Sequence, residues 1–561
     1  MFKKSRPYQE PELFKSISSN IGDRKLKILS DSQEWQNVFF REITSRIDEK
    51  LFEVLYSDIG RPNAPIRQLV GMLILKEGHN WSDEQLFDEC LFNLRVMWAL
   101  GLTNMNDEVP VASTYYDFQS RLHKHLEQRD EDVLGLCFAK LTKEQCVRFK
   151  VDGKDVRMDS KLFNSNIARS TRLQLVITVL QQFFQKLPQE HWSVLAPADL
   201  EKLKHLVAKP AAKHTYPLSK AQKNDLLEEL GGLALRLDTL FNEPRPATYP
   251  LLERLVNEHF EVDEQGQSRP KDKDDIDGSS MQSPHDPDAA YRFKESGGKK
   301  QFIRGFSGNI TETCAQEGLN LLSNPQTEPA TAADNDFFPT AIEQTEAISG
   351  KIKNSWTDGA FNSQDNVAYN KSRGEDEINW YLSKMQGSPG NFDFAYTADG
   401  QLMVTDRRTG ETQIAFQTPK GNYRIADESQ KKGIRYIEKK IIDNYFRRKE
   451  IEAQPDEIRL RRPNVESTIH HVFYTLDGNK SKYRGLIRNH RFVLCRCFWV
   501  NFRRICKFLG GQSAQKVQKT VDNTQQTLEK AKNQLFFAFS ALCWLIARQF
   551  PASNLSRSYA C

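Results

Sequence analysis

Three acidic residues stand in settings where a carboxylate could face a divalent cation: Asp159 in VRMDSKLFNSNIA, Asp358 in NSWTDGAFNS and Glu466 in RRPNVESTIHHVF. Asp159 closes the alternating stretch FKVDGKDVRMD, which reads as a strand or tight hairpin. Asp358 follows a short run and precedes Gly359, which permits a sharp exit. Both aspartates are therefore expected at strand ends. Glu466 comes soon after Pro463, a residue favoured in a helix's first turn, and Val465, Ile469 and Val472/Phe473 follow at helical spacing. That places Glu466 on an early helical turn. Two strand-end aspartates and one helix-borne glutamate are the set that holds two Mg2+ ions roughly 3.5–4 Å apart, one activating a water or hydroxyl and the other stabilising a leaving oxygen. The chemistry would be phosphodiester cleavage and strand transfer. Among 74 acidic residues a single Asp is by default a solvated charge, so the flanking words decide.

Those words, MDSKLFNSNIA, SPHDPDAAYRFK, ITETCAQEGLNLLSNPQTEPATAADNDFFPTAIEQTE, TDGAFNS and RRPNVEST, resemble DDE transposases of bacterial insertion sequences, in the IS eleven-eighty-two branch. The resemblance runs in order from about Asp159 to Arg504. An upstream stretch, GRPNAPIRQLVGMLILKEGHNWSDEQLFDEC, resembles the helical domain that precedes their catalytic core. It implies an α/β fold with an RNase H-like mixed-sheet core, and a DDE triad carried onto Asp159, Asp358 and Glu466, with two Mg2+ ions for which Mn2+ can substitute. It also implies double-stranded DNA as partner, both the element's terminal inverted repeats and the target, and a homodimer in the synaptic complex. The family's Tyr-Arg-Glu-Lys signature is met only in part. Arg462 fits the Arg position, whereas Arg459 stands where the Tyr would be and Phe473 where the Lys would be. Lys480 and Lys482 are candidate substitutes for that Lys.

Net charge is only +5, but its distribution is informative: from Lys431 to Lys507 there are 20 Lys/Arg against 8 Asp/Glu. Such a block suits a phosphate backbone, with strong salt dependence. Arg462, Lys480, Lys482, Arg484, Arg488 and Arg491 are its expected DNA contacts, and Arg491, Arg496, Arg503 and Arg504 are expected to project outward from the apolar stripe of FVLCRCFWVNFRRI. The nine cysteines have no zinc-site or disulfide spacing and read as reduced thiols of a cytoplasmic protein. The N-terminus lacks the apolar core of a secretory signal. FFAFSALCWLIARQF is short for a membrane span and reads as a packed terminal helix, so no membrane partner is expected. Phosphate-binding loops, nucleophile elbows and dinucleotide fingerprints are absent.

Positioning these residues takes several elements. A length of 561 residues implies several domain-sized units. Residues 1–145 are expected as a helical N-terminal domain, with Ser82 and Gln85 forming a capping box and DNA-end binding an open role. Residues 146–510 are expected as the catalytic domain, interrupted by a helical insertion at about 167–260 and a β-rich one at about 390–430. Residues 511–561 form a helical tail. DEQGQSRPKDKDDIDGSSMQSP reads as an exposed loop, QFIRGFSGNITETC and LNLLSNPQT as paired strands, FPTAIEQTEAISG as a helix, and NSWTD as the strand delivering Asp358. Ala398-Asp399-Gly400 and Thr409-Gly410 read as hairpin turns. Trp380, Tyr381, Phe394 and Tyr396 are base-stacking candidates for which core packing is the ordinary role, and turn chemistry is the ordinary role of Asp286 and Asp288. His470 and His471, one turn beyond Glu466, could approach a metal or phosphate, although surface histidines are the plainer reading. A catalytically inactive, transposase-derived DNA-binding protein and a nuclease without strand transfer stay open as alternatives.

Overall fold

A computed structural model describes residues 1–549 except 6–11, 13, 244, 297, 385–389, 428, 431, 460, 462 and 463, and for most residues beyond 512 the backbone alone. The chain opens with seven helices: α1 Asp23–Ser30, α2 Trp35–Glu42, α3 Ile66–His79, α4 Asp83–Phe92, α5 Leu94–Ala99, α6 Ala112–Arg129 and α7 Val133–Phe149. The expected Ser82–Gln85 capping box starts α4. Asn80 ends α3 in the left-handed conformation (φ 63°), which a short amide side chain tolerates.

Strand β1, Asp155–Asn164, is followed by five helices, α8 Arg172–Lys186, α9 Pro197–Val207, α10 Ala211–Thr215, α11 Lys220–Leu240 and α12 Tyr249–His259, and a small hairpin, β2 Phe260–Val262 with β3 Ser268–Pro270. Leu180, Leu203, Leu230 and Leu252 give these helices a core of their own. The polar stretch expected as an exposed loop is largely exposed as far as Ser279, with two departures. It carries β3 and sinks Met281 fully into that core, because the apolar side chain finds a site between the helices that local polarity does not reveal.

The main sheet adds β4 Ala290–Ser296, β5 Lys299–Thr313, β6 Leu322–Pro329, β7 Asn354–Thr357 and β8 Asn379–Leu382. Its order is β4-β5-β1-β7-β8, with β6 also paired to β5. β5 is antiparallel to β1, β4 and β6, while β1, β7 and β8 run parallel. Between β6 and β7 lies α13, Phe338–Ser349, and between β7 and β8 lies α14, Gln364–Ser372. Alternate residues divide the sheet's faces. Val156 and Met158 pack with Phe338, Ala341 and Ile342 of α13, whereas Phe163, Phe306 and Ile310 face the opposite way.

Beyond β8 come two three-stranded sheets, β9 Phe392–Tyr396, β10 Leu402–Asp406 and β11 Thr412–Ile414, then β12 Phe416–Gln417, β13 Tyr423–Ala426 and β14 Ile434–Ile437. Gly400 and Gly410 adopt positive φ at the two hairpin turns read from sequence. Helix α15, Lys439–Glu452, covers these sheets through Ile442, Tyr445 and Phe446. The chain closes with α16 Asp456–Arg459, α17 Asn464–Phe473 and α18 Leu486–Gln549. No described helix is long and apolar enough to cross a membrane. The side chains of FFAFSALCWLIARQF lie outside the described residues.

Arg496 of α18 joins three of these elements. It is only 1% exposed. Its Nε donates to Val472 O at 2.9 Å, one terminal nitrogen to Glu77 O and Gly78 O at 2.8 and 3.0 Å, and the other to His471 O at 2.5 Å. These carbonyls end α3 and α17, where no intrahelical donor remains and a cation is favoured. The expected outward projection of Arg496 is thus corrected: two buried helix ends need a fork of donors, and guanidinium supplies it. Arg504 is likewise turned inward, while Arg503 stays exposed. Arg496→Met should lower the unfolding free energy by at least about 3 kcal/mol, since each orphaned carbonyl costs about 1–3 kcal/mol. A urea midpoint equal to wild type would refute that role.

Candidate active site

β1 and β7 run side by side with Asp155 opposite Asn354 and Arg157 opposite Trp356. Continued two residues past that last pair, the same register would bring Asp159 level with Asp358. Asp358 stands just past the end of β7, as expected. Its Oδ1 accepts from the Gly359 amide at 2.6 Å, capping a single turn at Gly359–Phe361, and from Ser383 Oγ at 3.1 Å. Asp159 does not end its strand. It is the fifth of ten residues, because β5 keeps pairing with β1 as far as Asn164. Asp159 Oδ1 accepts from the Ser160 amide at 2.9 Å.

Glu466 is the third residue of α17 and is exposed, while Val465, Thr468, Ile469, Val472 and Phe473 turn inward. The helix is seated by Glu312 of β5, a fully buried carboxylate. It pairs with Arg157 of β1 at 2.6 Å and Arg504 of α18 at 2.6 Å, and it accepts from Thr468 Oγ1 at 2.9 Å. Farther along, Phe473 meets Phe163 of β1 at 5.5 Å between ring centroids and crosses Gly308, where an added Cβ would lie 2.7 Å from the ring. α17 therefore runs along β1 from Arg157 towards Phe163. Glu466 precedes Phe473 by two turns on one stripe, about 10 Å along the helix, and Asp159 precedes Phe163 by about 13 Å along the strand on the same face. The helix start thus lies towards the Arg157 end of β1. Among the described residues, no three His, Cys, Asp or Glu side chains converge closely enough to hold a metal ion.

The loop before α17 is fastened to the same edge. Arg461 pairs with Asp155 and lies over Trp356, and its carbonyl accepts from Arg157 at 2.9 Å. Arg462 lies outside the described residues. The other expected DNA contacts follow α17. Lys480 is exposed and forms a lone bridge with Asn164 at the end of β1. Lys482 donates to Asn80 O at 3.3 Å, and burial lowers its pKa. Arg484 donates to Asn166 O at 2.7 Å, Arg488 is exposed, and Arg491 reaches Gln119 of α6 at 2.7 Å. Lys480 alone of these stands against the strand that carries Asp159.

Other candidates resolve into structure. Asp286 is buried against Ser165 and its pKa is raised by burial; Asp288 accepts from the Leu486 amide at 2.9 Å, capping α18. His470 and His471 are exposed, and partial burial lowers the pKa of His471. Trp380 stacks on Phe338, Tyr381 on Trp356, and Phe394 packs against Tyr445, while Tyr396 is exposed and stacks on Phe446. Sequence reasoning missed Glu312 and Arg157 as the seat of α17. Their signal is a charge pair at inward positions of two strands, which shows only once the strands are paired. Glu312→Ala should cost about 3–5 kcal/mol, as loss of one partner of a buried pair does. It should also raise amide exchange across Val465–Phe473 before that of the α8–α12 helices; unchanged exchange in α17 would refute its seating by Glu312.

Residues 27–121, spanning α1 to most of α6, match the family described as Transposase domain (DUF772). No curated protein and no solved structure matches the chain. Residues 27–121 thus resemble a transposase domain, and α3 within them packs against α18.

Proposed function

We propose that the protein is a DDE transposase that binds the terminal inverted repeats of its own insertion sequence as double-stranded DNA, cleaves the end phosphodiesters and joins the freed 3′-OH to target DNA. The observation that supports this reading is the parallel pairing of β1 and β7, whose register, continued two residues, brings Asp159 and Asp358 level, with α17 packed along β1. The mixed sheet, with β5 antiparallel to β1 and with β1, β7 and β8 parallel, is compatible with the RNase H-like core we propose, and the transposase-domain match at residues 27–121 supports a transposase. IS eleven-eighty-two remains our choice of branch.

Asp159, Asp358 and Glu466 offer only carboxylate oxygens, the donor set that suits Mg2+ or Mn2+. Two such ions, when bound, would supply Lewis-acid stabilisation of the attacking and leaving oxygens. The chain's own part is to hold the three carboxylates at one edge. Ser160, Gly359 and Ser383 orient the aspartates by donating to them, and Glu312 and Arg496 hold α17 in place. Arg462, Lys482, Arg484, Arg488 and Arg491 are proposed to meet DNA phosphates together with Lys480, in a cytoplasmic homodimer that joins two element ends. A second reading, an inactive DNA-binding remnant, draws on the absence of three converging carboxylates among the described residues.

The test is cleavage of a duplex carrying the DNA that flanks the reading frame. With Mg2+, wild type should cut at the ends, and Asp358→Ala should cut at least about a thousandfold more slowly while binding equally well. Chelation by EDTA should abolish cutting and Mn2+ should restore it. Equal cutting by Asp358→Ala would sink the site assignment, and binding without cutting in both proteins would favour the remnant.

A further inference from the structure

The β4–β5 hairpin carries chemistry that the carboxylate edge does not use. Phe293 and Phe302 are cross-strand partners with ring centroids 5.3 Å apart, and they are 46% and 49% exposed. Two large aromatic side chains left half in water, on an arm of a sheet whose interior has room for apolar residues, are unfavourable unless something else covers them. Their surroundings say what kind of surface that is. Tyr291 and Arg304 are the next cross-strand pair on the same face. Together with Phe302 they line a groove of about 500 Å³ that also takes in Arg169, Lys480 and the end of β1. That groove has three cations and no carboxylate in its lining; Asp286 is buried against Ser165, and Glu295 stands opposite Lys300 towards the hairpin tip. Burial lowers the pKa of Arg304, whose guanidinium donates to Ser170 O at 3.2 Å. The face is also the one that carries Asp159. Ile310 is opposite Asp159, and Phe302 lies eight residues away on the same strand, so both point to one side. The separation is about 26 Å along β5.

We propose that this face of the hairpin is a platform for unpaired DNA bases: Phe293 and Phe302 stack with one or two bases of a frayed or single-stranded DNA end, while Arg169, Arg304 and Lys480 hold the adjoining phosphates. Aromatic rings accept any base, and a groove lined by three cations and no carboxylate suits the phosphodiester backbone beside those bases. The platform rests on the transposase reading and extends it, because a DNA strand entering the carboxylate edge continues along the same side of the sheet.

The experiment uses the full-length protein and two fluorescent duplexes of one sequence, one blunt and one with a short single-stranded tail, titrated by anisotropy at fixed salt. Wild type should bind the tailed duplex more tightly. The double variant Phe293→Ala/Phe302→Ala, whose side chains are exposed and spare the core, should lose about five- to a hundredfold on the tailed duplex and nothing on the blunt one. Arg169→Gln/Lys480→Gln should weaken both duplexes alike and flatten the dependence of log affinity on log salt by about two. A tail preference that survives in the phenylalanine variant overturns the platform. So does a variant that alters only the oligomeric state, which would make this face a contact between copies. Asp358-dependent cleavage without any tail preference in wild type overturns the platform and leaves the transposase reading standing, whereas failure to bind either duplex overturns both.

Discussion

A single buried carboxylate, Glu312, fixes how α17 lies against the sheet. A full charge in the interior is tolerated only when paired and hydrogen-bonded, so Glu312 draws to itself a strand through Arg157, a short helix through Thr468 and the long helix through Arg504. Each of these elements has another reason to be near, but none alone sets the register of α17 along β1. With Thr468 held at Glu312 and Phe473 held against Phe163, the ten-residue helix has little freedom left to slide. The seating of α17, which carries Glu466, thus follows from a residue of β5.

Arg496 performs the complementary task with the opposite charge. It closes the ends of α3 and α17 at once, so the N-terminal helices and the helix bearing Glu466 share one set of donors. Apolar packing repeats that connection. One continuous core runs from Ile17 to Ile505, and Phe39 and Phe138 of the N-terminal helices meet Phe502 and Phe498 of α18 edge to face. The segment that resembles a transposase domain is therefore joined to the sheet through α18. The α8–α12 helices and the two small sheets, by contrast, have cores of their own. Additions with separate cores interrupt the main sheet's chain without disturbing its packing.

The basic block illustrates how far a charge count carries. Twenty cations between Lys431 and Lys507 are visible in the sequence, yet several have interior duties. Arg461 pairs with Asp155, Arg491 reaches Gln119, Arg504 meets Glu312 and Arg496 closes two helices. Lys480 and Arg503 remain at the surface. The cations that gather in a groove free of acids include Arg169 and Arg304, which lie far outside the block and reach it only because the β4–β5 hairpin pairs against the end of β1.

Local physics was readable from the sequence by itself. Helical spacing, the Ser82–Gln85 cap, the paired β5 and β6, the helix before Asp358 and the two hairpin turns all depend on neighbours within a few residues, and each is found where the pattern puts it. The seat of Asp358 belongs to this class, since Gly359 and a capped turn stop the strand there. Asp159 does not: its strand runs on past it because β5, some 150 residues later, supplies a ladder that no local signal announces. Only the tertiary structure decided that Arg496 and Arg504 turn inward, that Glu312 holds α17, and that β1 and β7 pair in a register that would bring Asp159 and Asp358 level. These outcomes depend on which helix ends, strands and charges become neighbours in the interior, where an unmet carbonyl or an unpaired charge is costly enough to override a residue's usual place at the surface.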